Sequence, residues 1–413
     1  MGHWIAQEQT LRLAAPVSAA ACSSYETKEV RAALSQLLGA IDGLDFVKQG
    51  MTIAVKVNLI TMMAPEKAAT THPVLISELC RLLCARGASV IIGDSPGGTF
   101  TEGYLKTVYR GCGLEAMVQD LRREGLNVRL NDDFSTQEAV FLEAVSLKTF
   151  EYTAWLDRAD AIIDFAKLKT HAMMAMTCSV KNLFGTIPGT GKPECHMRFP
   201  STPAFANLMI DLNEYFKPAL NIVDGIDAME GNGPTAGSVR HMGILLASCS
   251  PYNLDLACAG LIGLDRSSVP TLEQAWQRGL GKSRLDELNI IGKDAYDHAC
   301  VKDFQLVSKP MSITFASKGP AGALFGKAAE WIFSSRPQLY EDDCIRCGKC
   351  AQVCPAKAIH MEGVPVIDRT KCIHCFCCQE FCPQGAMRVH LNPVGKLIRH
   401  FNVSGGAGTA AGR

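Results

Sequence analysis

Along the first three hundred residues, short runs of consecutive apolar residues alternate with longer stretches whose apolar positions recur every three or four places. The short runs, at 52–59, 89–92, 161–165, 220–223 and 243–247, read as buried strands, because a strand covered on both faces needs no polar alternation. The longer stretches, at 74–86, 114–124, 205–216 and 253–262, carry the helical repeat of one core-facing side. No heptad pattern is sustained, so no coiled coil is expected. Alternating strands and helices predict an α/β domain over 1–310, a mainly parallel sheet flanked by helices. Residues 311–336 mix apolar patches with Gly319 and Pro320 and read as a junction helix packed between domains. The stretch 396–413, rich in Gly and Ala from Gly405 onward, reads as a flexible tail.

Composition narrows this picture in two ways. Hydrophobic residues make up 47% of 413, enough for a large core. Lys plus Arg and Asp plus Glu both number 41, which leaves no electrostatic argument for a nucleic-acid partner. No basic N-terminal stretch leads into an apolar run, and no apolar run reaches the roughly 18 residues of a membrane span.

The candidate chemistry is concentrated near the C-terminus. Cys344, Cys347, Cys350, Cys354 and Pro355 repeat as Cys372, Cys375, Cys378, Cys382 and Pro383, every member shifted by 28 positions. This is the bacterial ferredoxin run, in which three closely spaced thiolates hold one cubane and the fourth cysteine ligates the other. The spacing predicts two 4Fe-4S clusters in a small α+β ferredoxin-type domain over 337–395. One would use Cys344, Cys347, Cys350 and Cys382, the other Cys372, Cys375, Cys378 and Cys354. Structural zinc seldom takes a third cysteine at such short spacing. Cys377 falls outside the repeat and reads as a small buried residue. The remaining cysteines, such as Cys80 and Cys84, show no paired framework, and cluster ligands must stay reduced. The expected setting is therefore the cytoplasm.

Three places in the α/β region bring polar residues to the carboxyl ends of predicted strands, where open parallel sheets bind ligands. Lys56 and Asn58 lie near the end of the first strand, Pro73 suits the first position of the next helix with Thr71 or His72 where its cap belongs, and Asp94 begins a Gly-rich turn. Lys167, Lys169 and His171 follow the strand at 161–165, and a later loop holds Gly189, Gly191, Lys192 and His196. A third loop runs from Asp224 to Pro234. Lysines and backbone-exposing glycines suggest an anionic ligand, with Lys56, Asn58, Asp94, Lys167, Lys169 and Lys192 binding it. His72, His171 and His196 are the candidate proton carriers. Gly189–Lys192 is not a phosphate-binding P-loop, since Thr186 and Pro193 stand where that motif needs Gly and Ser or Thr. Cys195-His196 is no nucleophile–base pair if extended, because neighbours on a strand point opposite ways. Cys178, His72, His171 and His196 are a further candidate metal set that no spacing requires.

Together, Lys56-Val57-Asn58-Leu59, Thr70-Thr71-His72-Pro73, Gly93-Asp94-Ser95-Pro96-Gly97, Lys167-Leu168-Lys169-Thr170-His171, Lys181-Asn182-Leu183-Phe184-Gly185 and Asp224-Gly225-Ile226 resemble the domain-of-unknown-function family 362. The resemblance covers roughly residues 50–270, with Val57 where that family is expected to carry proline. It implies an iron–sulfur protein but no activity. The strand–loop–helix order is also similar to that of nickel-pincer lactate racemases, by analogy alone. Two functions stand open. One is an oxidoreductase passing electrons to an anionic substrate or a further cofactor in the crevice. The other is an electron carrier or adaptor that docks a redox partner protein through the α/β domain.

Overall fold

A computed structural model describes residues 11–189, 191–307 and 336–390. The strands of the α/β domain are β1 (Val17–Ala21), β2 (Thr52–Val57), β3 (Ser89–Gly93), β4 (Val128–Leu130), β5 (Thr136–Val140), β6 (Thr149–Thr153), β7 (Ala161–His171), β8 (Ala175–Thr177), β9 (Leu220–Glu230), β10 (Ser238–Ser248) and β11 (Ile290–Ile291). Nine of them form one sheet in the order β11-β1-β10-β9-β7-β2-β3-β4, with β8 beside β7, while β5 and β6 pair separately. β4, β3, β2, β7 and β9 run parallel. β10 is antiparallel to both its neighbours. The sheet is thus mainly parallel and flanked by helices, as the pattern predicts.

Burial on both faces explains the unbroken apolar runs. Ile53, Val55 and Val57 pack against helices Thr27–Gly39 and Pro73–Ala85 through Leu34, Leu37, Leu75 and Leu79. Ala54, on the other face, meets Trp155. From β2 the chain moves outward to β3 and β4, then returns on the other side of β2 as β7. The carboxyl ends of β2 and β7 are therefore a topological switch point, where a crevice opens because neighbouring connections leave in opposite directions.

Two strands outrun their apolar signal. β7 continues through Lys167, Lys169 and His171, and β9 through Asp224 to Glu230. The expected loop from Asp224 therefore begins only at Gly231. Polar residues are tolerated inside these strands because partners wait for them: Asp224 receives Lys167, and Asn58 receives Lys169. Residues 191–198 form a helix instead of the expected loop, so the extended-chain argument about Cys195 and His196 does not apply; both are buried in it.

In the C-terminal domain, β12 (Arg336–Leu339) pairs with β15 (Met387–His390), and β13 (Ile359–Glu362) forms a hairpin with β14 (Val364–Ile367). Helices Lys349–Gln352 and Cys377–Glu380 pack between these pairs. The small α+β form matches expectation. The junction and tail, apart from Arg336, fall at 308–335 and 391–413, outside the described residues. Among the described residues, no helix is long and apolar enough to cross a membrane.

Candidate ligand crevice beside two cysteine cages

The cysteines gather in two sets. Cys344, Cys347, Cys350 and Cys382 line one hollow with Ile345, Gly348 and Met387. Burial raises the Cys350 thiol to about 11, and crowding by Cys382 and Cys347 adds to it. Burial likewise raises Cys378, with Cys375, Cys372, Cys350 and Cys354 as the neighbours that add to it. Sulfurs this close would repel one another as bare thiolates, so the grouping fits a cationic iron–sulfur group that takes them as thiolates. Backbone amides of Arg346, Ala358 and Ala386 already donate to the sulfurs of Cys344, Cys354 and Cys382. Cys377 is buried beside Cys378. No three His, Cys, Asp or Glu side chains among the described residues converge as a single-ion site. Cys178, His72, His171 and His196 therefore form no metal centre here, whereas a cubane needs thiolates spread around a cluster.

At the switch point lies a crevice of about 510 Å³ of empty space, part of it open to solvent. Lys56, Asn58, Asp94, Lys169 and Lys192 all line it. Lys56 spends its three donors inside the wall, on Asp94 at 2.9 Å, Asn182 at 3.0 Å and the Val57 carbonyl at 2.8 Å. Asp94 also accepts the Leu59 amide at 2.8 Å. This pair is scaffolding.

Lys169 and Lys192 differ from it. Lys169 donates to Asn58 Oδ1 at 2.7 Å and the Ala69 carbonyl at 2.6 Å. Lys192 donates to the carbonyls of Ser95 and Ile187, both at 2.7 Å. Neither has a carboxylate partner among the described residues, and each ammonium keeps one donor in hand. Burial pulls both down to about 7, helped by Lys181 for Lys169 and by Lys56 for Lys192. Beside them, the buried Ser95 hydroxyl has no hydrogen-bond partner among the described residues. The floor is Asn182, which donates to Asp164 at 2.7 Å; burial raises that carboxyl to about 7.

The C-terminal domain closes the crevice. Glu380 and Phe381 line it. Glu380 lies 3.5 Å from Lys181 and 3.7 Å from His171 Nε2. Burial opposes its ionisation, yet Lys181 and His171 hold it well below the usual range. Gln379 Nε2 donates to Asn232 Oδ1 at 2.9 Å and to the Gly233 carbonyl at 3.0 Å. Gly97 packs so tightly on Phe381 that an added Cβ would sit 2.5 Å from its ring.

The histidines do not share one role. His171 Nδ1 accepts the amides of Met173 and Met174, at 3.1 and 3.2 Å, so its proton sits on Nε2, towards Glu380. Burial lowers it to about 4. His196 stacks on Phe205 at 4.2 Å, and burial lowers it to about 3. Both are neutral at pH 7. The structure takes His72 and Lys167 away from the crevice. His72 caps helix Pro73–Ala85 and stacks on Tyr25 at 3.6 Å. Lys167 donates to Asp224 at 2.8 Å and to Tyr25 at 2.9 Å. Asp224 stands opposite Lys167 on the neighbouring strand β9, and that pairing holds the Lys167 ammonium away from the crevice.

Gly185 exposes the tightness of the wall. A Cβ there would lie 2.0 Å from Asp94 and 2.6 Å from the Lys56 ammonium. Gly185→Ala is expected to split that ion pair and cost about 1–3 kcal/mol. An unchanged denaturation midpoint would contradict this packing.

A family model described as a domain of unknown function (DUF362) matches residues 53–260. The chain belongs to this family. In this DUF362 chain, the resembling runs at Lys56–Leu59, Gly93–Gly97 and Lys181–Gly185 all contribute to the crevice wall. A model for a 4Fe-4S dicluster domain matches residues 336–387, giving the DUF362 domain an iron–sulfur electron-transfer module. The chain is 31% identical over 278 residues to a thylakoid-associated protein of Synechocystis sp., covering 65% of this chain and 81% of that protein. Among solved structures, the lactate racemase apoprotein of Thermoanaerobacterium thermosaccharolyticum is similar at 12% identity and a TM-score of 0.38, over 62% of this chain and 58% of that one. At that score the likeness carries no argument.

Proposed function

We propose that this chain is an oxidoreductase in which electrons held by two 4Fe-4S clusters reach an anionic substrate or a further cofactor in the crevice. Cys344, Cys347, Cys350 and Cys382 would hold one cluster, and Cys372, Cys375, Cys378 and Cys354 the other. The observation that carries the reading is the position of Glu380 and Phe381: they wall the crevice and stand between Cys378 and Cys382 in the chain. Each bound cluster supplies or accepts one electron at a time.

The protein's own groups do the rest. Lys169 and Lys192 bind the anion with their remaining donors, and Ser95 adds a hydroxyl. Their values near 7 let either ammonium hand a proton to the ligand once arriving electrons have made the ligand more basic. Lysine takes over the proton-carrying role expected of histidine, while His171 and His196, neither of which lines the crevice, stay neutral behind Glu380 and Phe184. Phe184, Phe381 and Pro234 keep water from the ligand's far side. Because the thiolates must stay reduced, we assign the protein to the cytoplasm.

The test uses anaerobically purified protein reduced with dithionite and then desalted. Adding inorganic phosphate, succinate, benzoate or cinnamate in turn, with native mass spectrometry, identifies a retained anion; adding the reducible anions cinnamate or fumarate, with optical spectra, shows any ligand-dependent reoxidation of the clusters. Retention with reoxidation supports the oxidoreductase. An empty crevice and stable reduced clusters throughout would leave the carrier or adaptor reading instead.

A further inference from the structure

The two cysteine repeats match by a shift of 28 positions, yet the fold treats them unequally. In the second, Phe376 packs on Ala172 and Val307, Gln379 holds the Asn232–Gly233 turn, and Glu380 with Phe381 closes the crevice. The matching residues of the first are Gly348, Ala351, Gln352 and Val353, and Gln352 is exposed. Cys347 is exposed, whereas its counterpart Cys375 is half-buried. Ile345 is 59% and Tyr340 40% exposed.

Between those two apolar side chains lie Glu341, Asp342 and Asp343, all exposed. Asp343 pairs with Arg388 at 2.5 Å. Glu341 and Asp342 have no ion-pair partner among the described residues. Lys349, the nearby cation on the first-repeat helix, turns inward over the Tyr104 ring at 5.3 Å, and Arg346 is the one base within 340–347. Arg388 also stacks on the Tyr340 ring at 4.4 Å, so the open part of the face is the Ile345 side chain with Glu341 and Asp342 beside it, next to an exposed cage cysteine.

We propose that this first-repeat face docks a one-electron carrier protein whose redox centre is ringed by basic residues. The second repeat then serves the crevice. The proposal rests on the two-cage reading above. Opposite charge steers the encounter, and the apolar Ile345 side chain brings the redox groups close. One electron leaves the reduced chain for each ferric haem made ferrous, with no bond or proton changing hands.

Cytochrome c, a basic haem protein, is the probe. The reduced chain should reduce it at a rate that falls steeply with salt. The pair Ile345→Lys and Asp342→Lys should slow that rate about tenfold at low salt, and the matched change Ile373→Lys should leave it within about twofold. Zero-length carbodiimide cross-links should join Glu341 or Asp342 to cytochrome lysines. Unaltered rates in the paired variant, or cross-links confined to other acidic residues, would overturn the proposal. Iron content separates the readings: low iron in the parent chain speaks against the cages, not the face. If the paired variant itself loses iron, Asp342→Asn decides, by a weaker salt dependence or by none.

Discussion

Lys169→Met and Lys192→Met are each expected to weaken anion binding by about a hundredfold, roughly 3 kcal/mol, because a buried anion would lose a charge-assisted donor that water cannot replace. The probe is whichever of phosphate, succinate, benzoate or cinnamate the parent chain binds most tightly, measured by anaerobic calorimetry. The pH dependence has a definite sign. Both lysines stand near 7 in the folded protein against an ordinary value of 10.5. Binding an anion favours their charged forms, so affinity is greatest below pH 7. Above pH 7 it declines by up to about tenfold per unit for each lysine, until the value raised by the ligand is passed. Proton uptake accompanies binding near neutrality. The ligand-free protein responds in the opposite direction. Between about pH 7 and 10.5 the unfolded chain carries more protons at these two positions, so their contribution to stability rises with pH. Lys56→Met is the control: its donors are all spent within the wall, so it should disturb stability more than the pH profile. A flat pH profile in the parent chain would mean that the lysines do not meet the ligand.

Cys354→Ser is expected to remove the cluster proposed for Cys372, Cys375 and Cys378 of the other repeat. It is expected to lower iron from about eight to about four per chain and to abolish reoxidation of the remaining cluster by a ligand in the crevice. Cys350→Ser should lose a similar amount of iron but spare the cage beside the crevice. The crossed assignment shows in combination. Cys354→Ser with Cys372→Ser should lose no more iron than either alone, since both belong to one cage, while Cys354→Ser with Cys350→Ser should lose nearly all. If Cys354 and Cys350 behaved as one cage, the exchange of fourth ligands would be wrong. Conversion to a three-iron cluster in any variant would be visible by electron paramagnetic resonance.

The parallel sheet was legible because β2 and β3 are buried on both faces and so carry unbroken apolar runs. The helix at Pro73–Ala85 was legible from its repeat, its proline and its capping His72. The ends of β7 and β9 were not, since Lys167, Lys169 and Asp224 look like loop residues until their partners across the sheet are known. The same blindness put His72 and Lys167 in the crevice and left out Lys181, Asn182, Glu380 and Phe381. For the last two there was a signal: Glu380 and Phe381 stand where the first repeat has Gln352 and Val353, a departure that the cysteine spacing does not require.

Cluster chemistry depends on ligand type at short spacing, which is local, and the sequence alone determined it for this protein. It also determined the layered α/β scaffold, because burial on both faces of a strand leaves a pattern that composition cannot hide. Which lysines are free for a ligand was decided only by the tertiary structure. A charge is available when no partner reaches it, and partners such as Asp94 for Lys56 or Asp224 for Lys167 arrive from 38 and 57 positions away in the chain.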